Sequence, residues 1–240
     1  MSEHEPLEPF PSFRRMLSAA GLGRVSAFDV AWFNDLAPPE ERLPDFERGS
    51  ALAFLIGNGR ELWPEFCARL CADSALRCSE NPLDEYVVGA VERAVQAWAD
   101  RTEVLFAHTL EPRPIPIQRI AQAAGFAHLS PSHLSVHAEF GPWFALRAVV
   151  VIDRKPENLQ RRPAPDPCSS CRKPCLPLFR EAEQKLSETR TVLHTDESLW
   201  RAFLAVREAC PIGRDARYDE AQIDYHYSKR LDRLLRLLAV

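Results

Sequence analysis

Apolar residues recur along this chain with two different periods. Trp143 to Ile152, WFALRAVVVI, is apolar almost throughout and rich in Val, Phe and Trp. That is the pattern of a strand buried on both faces. Just before it, Leu134, Val136 and Ala138 alternate with polar neighbours, as in a half-buried strand. Glu139 to Pro142, with Gly141 and Pro142 adjacent, reads as the turn between these two runs. Val25 to Phe33, Ser50 to Ile56 and Glu103 to Thr109 are further strands, the second ended by a turn at Gly57-Asn58-Gly59.

Helical spacing governs the rest. Ser12 to Ala20 reads as a helix that Gly21 or Gly23 can end in the left-handed conformation. Glu61 to Ala72 is a second. Asn81 is placed to cap a third, with Pro82 at its first position and Asp84 in its first turn. Leu83, Val87, Ala90, Val91, Ala94, Val95 and Trp98 form its core face. Ile117 to Ala124, ended by Gly125, follows the rigid Pro112, Pro114 and Pro116. After a Pro- and Cys-rich loop over residues 154–177, the chain is helical. Glu197 to Cys210 carries an apolar stripe, Asp219 caps the next helix, and Leu231 to Leu238 forms a last stripe suited to the core or to a second copy. Strands and helices mix without regular alternation, so the expected class is α+β with a largely antiparallel sheet flanked by helices. One domain over 1–240 is expected, with residues 1–11 a loose arm.

Composition narrows the function. The hydrophobic fraction of 46% is ample for a core, and the net charge of −4 comes without a basic cluster, which argues against nucleic acid as partner. No apolar run has the length of a membrane span, and the acidic, Pro-rich start is unlike a secretory signal, so a cytoplasmic location is expected. Seven cysteines in that compartment imply free thiols or a metal site. Cys67, Cys71 and Cys78 lie on or near helices and read as small buried hydrophobes.

Two features carry chemistry. Arg147 is the one charge inside the apolar run. It cannot lose its proton, so it must meet an anion, either a protein carboxylate or a ligand. Cys168, Cys171 and Cys175 read C-x2-C-x3-C, and Cys210-Pro211 follows one helical hairpin later. This arrangement suits a 4Fe-4S cluster, with Cys-Pro closing the site, or a structural zinc. Free thiols, or a redox disulfide at Cys168 and Cys171, are the third reading. No nucleophile–base pair or carboxylate pair is visible, so no catalytic residue is assigned. His128, His133 and His137 have no partner at readable spacing.

Five segments in register resemble the cobalamin-processing proteins of the methylmalonic aciduria and homocystinuria type C family. They are FDVAWFNDLAPP from Phe28, ALAFL from Ala51, NPLDEYV from Asn81, FGPWFALRAVVVI from Phe140 and RYDEAQIDY from Arg217. They span residues 28 to 225. The resemblance implies the flavin-dependent nitroreductase-like fold. It also implies base-off binding of cobalamin and removal of its upper axial ligand, by electrons from reduced flavin (FMN) for cyanide or by glutathione for alkyl groups. By position it places Ile115, Ile117, Gln118, Ser135 and Leu146 against the corrin. It places His137 near the flavin and corrin edge, and Arg147 against the glutathione carboxylate. Where animal members carry a His, this chain has Gln122. Two readings compete: a corrinoid-dependent iron–sulfur reductase of the epoxyqueuosine reductase type, and a cobalamin carrier without chemistry. A homodimer is compatible with all three.

Overall fold

A computed structural model describes residues 11 to 240 apart from 97, 99 and 190. Residues 1–10 of the expected arm lie outside the described residues, and Pro11 already opens a helix. The helices are α1 (Pro11–Ala19), α2 (Ala31–Asn34), α3 (Leu62–Ala72), α4 (Ser74–Arg77), α5 (Pro82–Val95), α6 (Ile117–Ala123), α7 (Cys175–Glu188), α8 (Glu197–Glu208), α9 (Glu220–Ser228) and α10 (Leu231–Leu238). The strands are β1 (Arg24–Asp29), β2 (Leu52–Asn58), β3 (Thr102–Phe106), β4 (His128–Leu129), β5 (Ser135–Val136) and β6 (Ala145–Ile152). No helix among the described residues is long and apolar enough to cross a membrane.

The main sheet runs β1-β2-β6-β3, and every pairing in it is antiparallel. The apolar run therefore becomes a central strand, which is why both of its faces had to be apolar. Phe54, Ile56, Ala148, Val150 and Ile152 face a core closed by α1, α3, α5 and α10. Ala53, Leu55, Val149 and Val151 face the opposite core, covered by α2 and α6. A third cluster, Trp143, Trp200, Leu204, Tyr218 and Ile223, packs the C-terminal helices against the start of β6.

Several local expectations need correction. Residues 134–138 do not join the main sheet. Ser135 and Val136 pair with His128 and Leu129 in a separate two-stranded sheet, because a period-two pattern does not specify its partner. The segment 57–59 is not simply a turn, since β2 runs on through Asn58. β1 stops at Asp29, whose carboxylate accepts the Ala31 N–H and so starts α2 early. Asn81 makes no side-chain cap, whereas Asp219 does, accepting the Gln222 N–H at 2.7 Å. The Cys-rich loop ends at Cys175, the first residue of α7. Cys67 packs against the core, and burial pushes its thiol up to about 12, but Cys71 and Cys78 are exposed. The stripe of α10 takes the core option: Leu234 is buried, with Leu231, Leu235 and Leu238 beside it.

Candidate functional site

The sheet alternation breaks at one place, and Arg147 stands there. Ile56 pairs with Ala148 but Gly57 pairs with Leu146, so Arg147 is the extra residue of a β-bulge. A bulge re-aims the side chains around it. Leu146 consequently joins the α2/α6 face, while Arg147 turns to the closed face, toward α5 and α9. Gly57 is required opposite the bulge, because a Cβ there would lie 2.7 Å from the Ala145 carbonyl oxygen.

The Arg147 side chain is 13% exposed. Its Nε donates to Asn58 Oδ1 at 2.7 Å. Among the described residues, the carboxylate paired with it is Asp84, 3.9 Å from Nη1 and too far for a hydrogen bond. Its Nη2 is buried with no hydrogen-bond partner among the described residues. Burial opposes its charge, with the nearby Tyr218, Asp84 and Tyr225 acting the other way. A guanidinium in this setting still keeps its proton. A second cation stands close by. Arg207 of α8 donates to the carbonyls of Pro142 and Phe144 and stacks over Trp143 and Tyr218 at 4.6 and 4.7 Å. His226 is driven well below its ordinary basicity by burial and by Arg147. The region therefore carries more fixed positive charge than Asp84 balances, and it presents an unused donor.

The remaining predicted contacts lie on the opposite face or its margin. Ile115 and Ile117 pack beside the α2/α6 core. Ile115 also lines a cleft of about 210 Å³ with Leu43, Leu105 and Pro112 to Pro116. Gln118 is exposed, and its amide donates to the His133 carbonyl, tying α6 to the loop before β5. Ser135 Oγ is buried without a hydrogen-bond partner among the described residues. His137 stacks flat on Phe140, with ring centroids 4.1 Å apart, and neighbours Phe126 and Phe144. Its Nδ1 accepts the Glu139 and Phe140 N–H groups. Burial lowers its basicity, Glu139 opposing. The ring is thus neutral with its proton on Nε2, available as a donor. Leu146 reaches the same aromatic group. A larger cleft of about 640 Å³ lies alongside, between Phe33, α6, His128 and Arg161 to Ala164. The structure thus groups His137 with Leu146, links Gln118 to the approach of Ser135, and sets Arg147 apart across the sheet.

The four cysteines also converge. The α7/α8 hairpin returns the end of α8 to the start of α7, so Cys210 meets Cys175, and Cys168 and Cys171 close over them. All four line one nearly closed apolar cavity. Burial, then Asp166, then the other three thiols push Cys168 up to about 11. Sequence spacing did not reveal His128, whose Nε2 lies 3.2 Å from Asp166 Oδ1, with Cys168 adjacent. His128 is 38 positions or more from the other two, so only the fold brings it to them.

Comparison with known proteins agrees with the motif resemblance. No protein-family model matches the chain. The cyanocobalamin reductase / alkylcobalamin dealkylase of Homo sapiens is 27% identical over 146 residues, covering 53% of this chain and 51% of that protein. The chain thus spans about half the length of the mammalian relatives it matches. The protein of the same name from Gallus gallus is 23% identical over 236 residues, 90% of each. Among solved structures, a C. elegans B12-trafficking protein CblC, described as a human MMACHC homologue, superposes with a TM-score of 0.66. It is 16% identical and covers 95% of both chains. The mixed fold with its antiparallel sheet is therefore that of this structure.

Proposed function

We propose that this chain is a single cobalamin-processing domain that binds cobalamin with its lower base off cobalt and removes the upper axial ligand. The relatives' names supply the substrate class. The structural observation that carries the reading is Arg147, a buried guanidinium on a bulge with a spare donor and a distant carboxylate. That state suits an anionic group that arrives with a ligand, since a planar guanidinium takes a carboxylate through two parallel hydrogen bonds. Arg207, beside it, adds charge to the same place.

In this reading the fold is of the flavin-dependent nitroreductase type. For a cyano ligand, a reduced flavin, when bound, would supply the electrons for reductive loss of cyanide. For an alkyl ligand, the glutathione thiolate attacks the alkyl carbon; the carbon–cobalt bond breaks, its electron pair stays on cobalt, and a thioether leaves. The chain's own residues bind and orient. Arg147 holds the glutathione carboxylate. Ile115, Ile117 and Leu146 offer apolar contact to the corrin, Gln118 holds the approach to β5, and Ser135 Oγ and His137 Nε2 supply polar contacts. A preference for the five-coordinate, base-off state lowers the barrier to reduction by differential stabilisation.

The test is anaerobic incubation with cyanocobalamin and reduced flavin, following the absorbance spectrum and released cyanide. Processing converts the cyano spectrum and frees stoichiometric cyanide. An unchanged spectrum with bound cobalamin would make the protein a carrier.

A further inference from the structure

The four-thiol cavity has no part in the reading above, and it lies on separate ground. Its walls are Cys168, Cys171, Cys175 and Cys210, closed by Pro, Ile and Val side chains. The ligand set is all sulfur, which selects zinc or an iron–sulfur cluster among common metals. Spacing discriminates between them. A zinc–thiolate bond of about 2.3 Å puts neighbouring sulfurs of a tetrahedral site about 3.8 Å apart. Among the described residues, the three or more ligand atoms lying mutually within 4.8 Å belong to His128, Asp166 and Cys168. No three of the four thiols come that close together. They surround one space yet stand too far apart for a single ion.

The hydrogen bonds point the same way. The Lys173 N–H donates to Cys171 Sγ at 3.3 Å, with Lys173 held at a φ of 55°. The Ile212 N–H donates to the Cys210 sulfur. Amide donors to sulfur are among the contacts that tune cluster potentials. Cys210 is buried, 8% exposed, between α8 and Pro211. We propose that Cys168, Cys171, Cys175 and Cys210 hold a cubane iron–sulfur cluster at the head of the α7/α8 hairpin.

The cavity's position gives such a centre a setting. Leu134 and Val136 line it, and strand alternation turns Ser135 and His137 the other way. The thiols and the His137 aromatic group thus lie on the two sides of one short strand.

The test is metal analysis of the full chain, purified without oxygen and reconstituted with ferrous iron and sulfide. Expected are about four irons and an equal amount of acid-labile sulfide per chain, with visible absorption that bleaches under dithionite. Cys171→Ser and Cys210→Ser should each lose most of the iron and sulfide. Cys71→Ser, at an exposed thiol outside the cavity, should keep both. Circular dichroism on each variant separates loss of the cluster from loss of the fold. If Cys210→Ser unfolds, Cys171→Ser and the wild-type stoichiometry still decide. Stoichiometric zinc without sulfide would overturn the proposal, as would zinc removed by His128→Ala, or protein with four reactive thiols and no metal. Cobalamin titration of the same preparations reads the other site separately, so either proposal can fail alone.

Discussion

The two faces of the main sheet are finished in opposite ways. Over Phe54, Ile56, Ala148 and Val150, long helices close the surface, and the core is continuous from Phe13 to Leu234. Over Ala53, Leu55, Val149 and Val151, only the short α2 and α6 lie on the strands, and clefts of about 640 and 210 Å³ open at the margin. The open face offers what a large, mostly apolar ring needs: room, aliphatic side chains and a few placed polar atoms. The closed face offers what a small anion needs, which is fixed charge away from water, where electrostatic attraction is stronger. The Arg147 bulge decides which face receives the charge. Without the extra residue, strict alternation would have set Arg147 with Val149 and Val151.

The largest expected effect is at Gly141, where two loops beside the sheet meet. It has a φ of 57°, and a Cβ there would lie 1.9 Å from the Ile212 carbonyl oxygen. This contact locks the turn after β5 onto the loop that follows Cys210. Gly141→Ala combines left-handed backbone strain with a main-chain clash, so we expect a loss of more than about 3 kcal/mol. Chemical denaturation would show it. Stability equal to wild type would mean that the two loops are not locked.

A smaller effect sharpens the contrast between faces. Arg147→Ala removes a charge-assisted contact worth about 1.5–3 kcal/mol. Glutathione-dependent dealkylation should therefore slow by about 10- to 150-fold at fixed glutathione, while cobalamin affinity stays close to wild type. Arg147→Lys should recover only part, because an ammonium lacks the planar fork. Equal losses of cobalamin binding and of dealkylation would merge the two faces into one site, and simple unfolding would leave Arg147 a structural residue.

The weakest effect is in pH. His226 is held neutral when folded, well below its ordinary value of 6.5. Below about pH 6.5 the unfolded chain therefore binds more protons than the folded one, and stability falls as pH falls through that value. His137, lowered by burial, acts in the same direction. The melting temperature should drop between pH 7.5 and 5.5, as unfolding free energy is lost at no more than about 1.4 kcal/mol per pH unit for each group. His226→Gln should flatten the slope. An unchanged slope would show that His226 binds its proton equally well in the folded and unfolded chain.

Much of this was legible in the sequence because it rests on local pattern. The apolar run of β6, the core face of α5 and the cap at Asp219 all depend on residues close together in the chain. Arg147 stood out because a charge inside an apolar run is costly and needs a partner. Its bulge and its contact with Asn58 could not be read, since register between β2 and β6 depends on residues about ninety positions apart. The same holds for His128 with Asp166, which meet only once residues 154–174 fold back over β4. Residues 134–138 looked like the other arm of a hairpin with β6. Strand periodicity reports which side chains share a face, not which strand lies alongside.

In the proposed function, the open face takes cobalamin in its base-off form. Titrating cyanocobalamin with the protein, followed by absorbance, tests it most directly. A saturable shift to the base-off spectrum that survives Arg147→Ala is expected. A base-on spectrum unchanged at saturating protein would contradict it.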